Sequence, residues 1–379
     1  MRTFLPPVLL PLLLFFACDD STGTTNNVNN VNNVNNVNNV NNVNNANNAN
    51  NVNNVNNANN VNNVNNTNNA TCDYVDPLAG MPAFTPPPQE DWNHSIITGS
   101  TVAAGSPYHM IHDEMAGPAE TITLRAKFDY GAVLHKDLQD EWVVFYLWGG
   151  QMASWQELGR HLTDDDGMIT LQVGPLPVGT YLVRAVVAGD LSSADGYVTV
   201  VDPCRLAVVF DIDGTLTTSD AEVMQDWANF STAEMYPFAD QVVAHYRDLG
   251  YQLVMVTGRP YWLAADTRAW LADRGFPNTS VRFTSDTGTT VSGQETQAYK
   301  TEYLQDLITR CGLDLIRAYG NATTDIGAYA AVGVPGTETF IIGENAGAEG
   351  TQPVVCEGCG YQDHYQTFLL NEDLACGLP

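Results

Sequence analysis

Four short polar motifs in the second half of the chain carry side chains suited to chemistry on a phosphate ester. In chain order they are Asp211-Ile212-Asp213-Gly214-Thr215, Thr257-Gly258-Arg259, Lys300 and Asn321-Ala322-Thr323-Thr324-Asp325. A carboxylate can approach a phosphate dianion only when a cation offsets its charge. Carboxylate and amide oxygens are ligands that suit a hard ion such as Mg²⁺. The motifs therefore indicate a metal-assisted reaction of a phosphate group.

Strand and helix patterns alternate in the part of the chain that holds these motifs. Apolar runs predict strands at 206–210, 253–256, 281–284, 315–319 and 340–342, and helical spacing predicts helices at 239–249, 263–273 and 301–310. This alternation is typical of an α/β fold with a doubly wound parallel sheet, which we assign to residues 203–379. Ligands bind at the carboxyl ends of strands in such sheets, and the polar motifs fall at those ends.

Residues 95–202 have a different pattern, with short alternating runs separated by Gly, Pro and Asp. This pattern predicts an all-β sandwich domain. Before it, residues 72–94 are rich in proline and are interpreted as a linker or an extended cover. His109 and His112 could bind a metal, but residues three apart on a strand point to opposite faces, so we favour a structural role.

The first 71 residues are interpreted as a leader and a tether. Residues 1–18 hold one cation and an apolar run too short to span a bilayer, which predicts a signal peptide. The segment ends in Phe15-Phe16-Ala17-Cys18, which resembles the lipobox of bacterial lipoproteins. We therefore expect lipidation at Cys18 and an exported, lipid-anchored protein of the cell envelope, with plain secretion as the alternative. Residues 19–71 carry an Asn-Asn-X repeat that predicts a disordered linker, with a small solenoid as the alternative.

Charge and cysteine content narrow the class of protein further. The chain has 15 Lys and Arg against 43 Asp and Glu, a net charge of −28, which argues against nucleic-acid binding because such binding needs a basic surface. An even number of cysteines remains besides Cys18, which predicts disulfides in an exported chain. Cys356 and Cys359 could be half of a zinc site, but no second pair lies near them in the sequence.

The four motifs, in this order, resemble those of the haloacid dehalogenase superfamily of phosphotransferases. The resemblance implies an aspartyl-phosphate on Asp211, with Asp213 as general acid and base. It also implies that Thr257 and Lys300 hold and neutralise the phosphoryl oxygens. The implied ligands of Mg²⁺ are Asp211, Asp213, Asn321 and Asp325, and the expected substrate-binding residues are Gly214, Thr215, Gly258 and Arg259. Most members have an acid where this chain has Asn321, which lowers the charge of the ligand set.

Flanking residues narrow the resemblance. Residues 211–215, 299–302 and 320–325 look like the catalytic domain of the lipins, which are Mg²⁺-dependent phosphatidate phosphatases. Residues 249–251, 256–260, 275–277 and 341–343 look still more like the C-terminal domain of retinal-degeneration-B type phosphatidylinositol transfer proteins, and residues 179–187 and 196–201 of the predicted sandwich are similar as well. In those transfer proteins the nucleophile position is not an Asp, and their domain recognises phosphatidic acid without hydrolysing it. Here Asp211 is present, which favours catalysis.

The spacing of the motifs bears on the substrate. From Asp211 to Thr257 is 46 residues and from Thr257 to Lys300 is 43, which leaves no room for a cap domain. A site without a cap admits phosphate esters presented on a surface, such as a lipid head group. We expect a monomeric phosphatase that converts phosphatidic acid to diacylglycerol. The alternatives are a non-catalytic phosphatidic-acid-binding module and a phosphatase of soluble or protein phosphomonoesters.

Four large side chains lie in the longest loop near the predicted site and either contact lipid or pack into the core. They are Trp227, Phe230, Met235 and Tyr236.

A disulfide is predicted at the opposite end of the sheet. If Asp211 and Asn321 bind one metal, their strands are parallel neighbours, and Cys204 and Cys311 then lie together near the amino-terminal ends of those strands. We predict a bond between these two cysteines, with two separate buried thiols as the alternative.

Overall fold

The computed structural model describes Cys72 and residues 76–102, 105–131, 135–149, 152–218, 233–284, 293–354 and 360–375. The predicted signal peptide, Cys18, the Asn-rich linker and the pair Cys356 and Cys359 lie outside these residues. Within the described part of the chain, no helix has the length and apolar character needed to cross a membrane.

The described residues form short strands first and an alternation of strands and helices afterwards. The strands are β1 (Met110–Ile111), β2 (Glu114–Ala116), β3 (Ile122–Lys127), β4 (Asp129–Tyr130), β5 (Lys136–Asp137), β6 (Trp142–Gly149), β7 (Gln156–Leu162), β8 (Met168–Val173), β9 (Gly179–Val187), β10 (Ser193–Val200), β11 (Leu206–Asp211), β12 (Gln252–Val256), β13 (Val281–Arg282), β14 (Asp314–Gly320), β15 (Thr339–Ile341) and β16 (Gln352–Pro353). The α-helices are α1 (Ser95–Val102), α2 (Ala239–Asp248), α3 (Ala264–Asp273), α4 (Gln294–Cys311), α5 (Thr323–Ala331) and α6 (Gln362–Thr367), and a short 3₁₀-helix spans Tyr261–Leu263.

Strands β1 to β10 form a β-sandwich-like region, as the alternating pattern predicts. One sheet has the order β1-β3-β8 and the other β2-β10-β9-β6-β7, while β4 and β5 pair separately. Alternate residues of β3 face inward, so Leu124 is fully buried while Thr123 is exposed. Side chains from both sheets, including Leu124, Phe145 and Val183, share one apolar core.

Strands β11 to β16 form one parallel sheet in the order β13-β12-β11-β14-β15-β16. Helices α2 and α3 cover the face that presents Val208 and Phe210, and α4 and α5 cover the face that presents Val209. Burial on both faces explains why β11 is an uninterrupted apolar run. The predicted α/β class is therefore confirmed for this region, although α4 begins at Gln294, earlier than predicted, and β16 was not predicted.

The sandwich-like region and the parallel sheet share buried contacts. Asp113 accepts hydrogen bonds from Arg268 Nη2 at 2.6 Å, from the Val281 N–H at 2.7 Å and from the Tyr197 N–H at 2.7 Å. Its side chain is only 1% exposed, so these donors replace water around the carboxylate. Met110 of β1 packs into the same apolar core as Phe210 of β11. The two regions therefore have a common interior.

The proline-rich segment covers part of the sandwich, which is one of its two predicted forms. The Pro82 carbonyl accepts a hydrogen bond from Trp155 Nε1 at 3.1 Å. Phe84 packs edge-on against Tyr146 and Trp155, with ring centroids 5.0 Å apart in both pairs. The segment thus covers aromatic side chains on the outer face of the five-stranded sheet.

The predicted disulfide between Cys204 and Cys311 is wrong. Cys311 is a buried free thiol, whereas Cys204 takes part in a disulfide, as does Cys72. The two segments do lie side by side, because the Cys204 N–H donates to the Gly312 carbonyl at 2.7 Å. Cys311 is the last residue of α4, and its side chain packs into the apolar core with Leu307 and so does not reach Cys204.

We predict that His109 makes the stability of the protein dependent on pH. Burial lowers the pKa of His109 to about 4, although Asp190 opposes this shift. In the unfolded chain the histidine takes up a proton near its ordinary pKa of 6.5, and in the folded protein it does so only near pH 4. The free energy of unfolding therefore falls as the pH falls through this window. The free energy of unfolding should fall by up to about 3 kcal/mol across this pH window.

Urea unfolding at about pH 7.5 and about pH 4.5 measures this loss. His109→Asn should remove that part of the pH dependence, because the new side chain does not titrate. A variant with the same pH dependence as the wild type would contradict the prediction.

Candidate active site

The polar motifs meet at the carboxyl ends of the central strands, as the sequence predicts. Asp211 is the last residue of β11, and Gly320 is the last residue of its neighbour β14. Thr257 follows β12, the neighbour on the other side. Lys300 reaches this edge from α4, and Asp325 lies in the first turn of α5.

A buried lysine connects the first motif with the last. Lys300 Nζ lies 2.6 Å from Asp211 Oδ1 and 2.6 Å from Asp325 Oδ1. All three side chains are at most 4% exposed. The second oxygen of Asp325 accepts hydrogen bonds from the N–H groups of Asn321 at 3.1 Å and Ala322 at 3.0 Å. One ammonium group thus faces two carboxyl groups, one at the end of β11 and one in the first turn of α5.

Gly320 allows Asp325 to come this close to the strand. A Cβ atom at position 320 would lie 2.6 Å from the Cβ of Asp325 and 2.9 Å from its Oδ2. Any other residue would force the carboxylate away from the N–H groups that follow β14.

Burial and the lysine have opposite effects on Asp211. Burial raises the pKa of the Asp211 carboxyl to about 7, and Lys300 opposes this shift. For Lys300 itself, burial lowers the pKa, but the attraction of Asp211 and Asp325 outweighs burial and raises it overall. Lys300 therefore stays charged at neutral pH and favours the ionised form of Asp211.

The Thr215 hydroxyl lies between Asp211 and Asn321. Its Oγ1 is 2.9 Å from Asp211 Oδ2 and 3.3 Å from Asn321 Oδ1. A carboxylate oxygen and an amide oxygen at the ends of neighbouring strands therefore lie close to the same hydroxyl, and oxygen ligands of these two types suit a hard cation such as Mg²⁺. Among the described residues, no group of three or more His, Cys, Asp and Glu side chains is arranged to hold a metal ion.

The second aspartate of the first motif is bound by the second motif. Arg259 Nε lies 3.0 Å from both oxygens of Asp213, and its Nη2 lies 2.6 Å from Oδ1. The Thr257 hydroxyl donates to Asp213 Oδ2 at 2.9 Å, and Arg259 Nη1 donates to the Thr267 hydroxyl at 2.9 Å. Arg259 is completely buried and Asp213 is 11% exposed. Asp213 is therefore held at a fixed place with one edge open to solvent.

These contacts differ from the roles expected for several residues. In the structure Thr257 and Arg259 contact Asp213, so their binding of substrate stays a prediction. Asp213 and Asp325, both expected to bind metal, face Arg259 and Lys300. The other expected substrate-binding residues, Gly214 and Gly258, lie in the turns that follow β11 and β12.

Two residues that the sequence analysis did not single out also contact the motifs. Tyr361 donates its hydroxyl to the Thr215 carbonyl at 3.0 Å, and Asn345 Nδ2 donates to the Asn321 carbonyl at 2.9 Å. Asn345 follows β15 at the same edge of the sheet, so the search for polar residues after strands could have found it. Tyr361 carries no such signal in the sequence.

The large side chains near the site fall into two groups. Met235 and Tyr236 pack against the apolar core around Phe210, which agrees with the packing alternative for these two residues. Trp227 and Phe230 lie outside the described residues.

We predict that Lys300→Met strongly destabilises the protein. Removing one partner of a buried ion pair leaves the remaining charge uncompensated, at a cost of about 3–5 kcal/mol. Lys136→Met is the matched control, because Lys136 is exposed in β5 and its loss should change the free energy of unfolding by less than about 0.5 kcal/mol. Urea unfolding compares the two variants, and equal stabilities would show that the fold does not require the buried ammonium.

Family models match both folded regions. Residues 107–200 match the beta-sandwich domain of PITM 1-3, and residues 208–343 match the LNS2 domain of PITM 1-3. A solved structure of phosphoserine phosphatase in its apo form covers 37% of this chain and 86% of its own, with 13% identity and a TM-score of 0.26, which is too low to support an argument.

Three relatives illustrate the similarity of sequence. Protein retinal degeneration B of Drosophila melanogaster is 31% identical over 263 residues, which cover 68% of this chain and 20% of that protein. Membrane-associated phosphatidylinositol transfer protein 1 of Homo sapiens is 31% identical, and the match covers 72% of this chain and 21% of that protein. Membrane-associated phosphatidylinositol transfer protein 3 of Mus musculus is 30% identical, and the match covers 73% of this chain and 27% of that protein. The chain thus spans only about a fifth to a quarter of the length of these relatives.

These relatives contradict the predicted localisation. They are named as membrane-associated phosphatidylinositol transfer proteins and a retinal degeneration protein, and not as exported lipoproteins with signal peptides. The prediction of an exported, lipid-anchored protein of the cell envelope, together with its alternative of secretion, is therefore wrong.

The order of the two matches along the chain is the order of the two folded regions. The relatives also confirm the predicted resemblance to the retinal-degeneration-B type phosphatidylinositol transfer proteins. Residues 107–343 are therefore similar to the β-sandwich and LNS2 domains of the membrane-associated phosphatidylinositol transfer proteins of the retinal degeneration B type.

Proposed function

We propose that the protein is a Mg²⁺-dependent phosphatase of the haloacid dehalogenase type that hydrolyses phosphatidic acid to diacylglycerol. The observation that carries this proposal is the buried carboxylate of Asp211 at the end of the central strand, held by Lys300 beside Asp325. The parallel sheet with helices on both faces supports the doubly wound, capless fold of that superfamily.

The reaction would proceed in two displacements. Asp211 attacks phosphorus and the bond to the glycerol oxygen breaks, while Lys300 neutralises the phosphoryl oxygens. Asp213, the more exposed of the two aspartates, gives its proton to the leaving alkoxide. Asp213 then takes a proton from the water that attacks the aspartyl-phosphate, and phosphate is released.

A magnesium ion, when bound, would offset the negative charge shared by the phosphate and the nucleophile. Asp211 Oδ2 and Asn321 Oδ1 would hold it, in exchange for their present contacts with the Thr215 hydroxyl. Asp213 and Asp325 stay proposed ligands, although their side chains contact Arg259 and Lys300 in the structure. Asn321 contributes no charge, so the affinity for the ion should be lower than with an acid at this position.

The relatives support a phospholipid as the substrate class. Their names describe membrane association and the transfer of phosphatidylinositol, so a phospholipid head group is the ligand we infer for this chain. Phosphatidic acid is the phospholipid whose head group is itself a phosphomonoester, which is the group that the proposed chemistry requires.

A second candidate is a module that binds phosphatidic acid without turnover. The names of the relatives favour it, because they describe transfer and not hydrolysis. The Arg259 contact favours it as well, because this cation already binds the carboxylate of Asp213, the proposed general acid. A phosphatase of soluble or protein phosphomonoesters is the remaining alternative.

We predict that Asp211→Asn abolishes phosphate release, by about 10³-fold or more, because an amide cannot form the aspartyl-phosphate. Binding of the full chain to vesicles that contain phosphatidic acid should persist. Asp363→Asn, at an exposed position of α6, is the control and should keep full activity. Turnover at the wild-type rate in Asp211→Asn would refute the mechanism.

The same assay separates the three candidates. Phosphate release from phosphatidic acid in mixed micelles, but little from a soluble phosphomonoester, supports the proposal. The reverse preference supports the soluble-substrate phosphatase, and binding without any release supports the non-catalytic module.

Metal dependence is a further prediction. EDTA should remove activity and added Mg²⁺ should restore it, because oxygen ligands prefer a hard octahedral ion. Asn321→Asp should lower the concentration of Mg²⁺ that gives half-maximal activity, since it adds one negative charge to the ligand set. Activity that chelator leaves unchanged would remove the ion from the mechanism.

A further inference from the structure

Asp129 and Tyr261 form a buried polar contact between the sandwich-like region and the loop of the second motif. Asp129 lies in β4 and is fully buried, and its Oδ2 accepts a hydrogen bond from the Tyr261 hydroxyl at 2.5 Å. Tyr261 begins the short helix Tyr261–Leu263 and is 3% exposed. It lies only two residues after Arg259, so its position constrains that side chain through Pro260.

His135 supports the same carboxylate from the sandwich side. His135 Nδ1 lies 3.2 Å from Asp129 Oδ2, and its ring centroid lies 4.5 Å from that of Tyr108 and 5.8 Å from that of Trp262. Among the described residues, Asp129 Oδ1 has no hydrogen-bond partner. Burying a carboxyl group with one oxygen unsatisfied costs free energy, so an apolar side chain would suit a purely structural role better.

The loop between β12 and the short helix is fixed on its other side as well. The Thr257 N–H donates to the Arg282 carbonyl at 3.0 Å, and the Thr284 N–H donates to the Arg259 carbonyl at 2.9 Å. These hydrogen bonds fix the backbone of the loop, and the hydrogen bond of the Tyr261 hydroxyl fixes the point where the loop ends and the short helix begins. Thr257 and Arg259, the two side chains that hold Asp213, lie between these anchors.

We propose that Asp129 and Tyr261 are positioning residues for Asp213, and that the sandwich-like region thereby helps to set the geometry of the catalytic site. Asp129 fixes Tyr261, Tyr261 fixes the loop that carries Arg259, and Arg259 fixes the carboxylate of Asp213. The catalytic consequence rests on the proposed function, while the mechanical link from Asp129 to Arg259 does not.

The leaving group of the substrate reports on Asp213. An alkoxide needs a proton as it leaves, whereas nitrophenolate is stable without one. Displacement of Asp213 therefore slows the hydrolysis of an alkyl phosphate more than that of nitrophenyl phosphate. A general loss of folded protein would slow both reactions equally.

The kinetic test compares Tyr261→Phe with Tyr251→Phe. Tyr251 is a matched control, because it is also buried and donates its hydroxyl to a carbonyl remote from the site, that of Asp373, at 3.1 Å. Tyr261→Phe should lower kcat for phosphatidic acid by about 10-fold to 100-fold and change kcat for nitrophenyl phosphate by less than about 3-fold, with KM unchanged. Asp129→Asn, which keeps an oxygen acceptor, should retain most of the activity that Asp129→Ala loses. Equal losses on both substrates, or a similar loss in Tyr251→Phe, would overturn the proposal.

A second measurement needs no turnover. The Arg259 Nε–H donates to Asp213, and its nitrogen-15 resonance is identified by its disappearance in Arg259→Lys. Hydrogen exchange at this group should become at least about 10-fold faster in Tyr261→Phe and stay unchanged in Tyr251→Phe. Unchanged exchange in Tyr261→Phe overturns the proposal. Faster exchange in that variant, combined with a wild type that releases no phosphate from either substrate, refutes the proposed function and supports the positioning.

Discussion

The buried ammonium of Lys300 is the contact on which the rest of the site depends. It contacts the carboxylate of Asp211, which is the last residue of β11, and that of Asp325, which follows β14. It can reach both only because β11 and β14 are parallel neighbours. Without it, Asp211 and Asp325 would repel each other in a place from which water is excluded. Three features place these charged groups together. Gly320 leaves room for Asp325, the first turn of α5 carries Asp325, and α4 carries Lys300.

The class of fold was predictable because burial leaves a clear pattern in the sequence. β11 is apolar on both faces and β3 alternates, and these two patterns separate the parallel sheet from the sandwich. Helix α1 was missed because its sequence, Ser-Ile-Ile-Thr-Gly-Ser-Thr-Val, is rich in residues that disfavour helices. β16 was missed because two residues are too few to show any period.

The site was predictable only in part. The edge of the sheet where the motifs meet follows from strand polarity alone, and the structure brings Asp211, Lys300, Asn321 and Asp325 together there. Which partner each side chain selects depends on contacts between distant elements. Arg259 turns toward Asp213 because Thr267 of α3 holds its other nitrogen, and Tyr361 reaches Thr215 from almost the end of the chain. Neither contact leaves a trace in local sequence.

The buried contacts of the Asp113 carboxylate determine whether the two folded regions can be separated. It is 1% exposed and accepts bonds from both regions, and Met110 packs into the core of the parallel sheet. If the chain were divided near residue 202, the second fragment would expose part of the apolar core of the parallel sheet. The first fragment would keep the Asp113 carboxylate without its partners Arg268 and Val281. The change of pattern at this point marks a change of architecture and not a place where the chain can be cut. Separating the two regions would therefore require new partners for Asp113 and a new cover for the apolar core that Met110 enters.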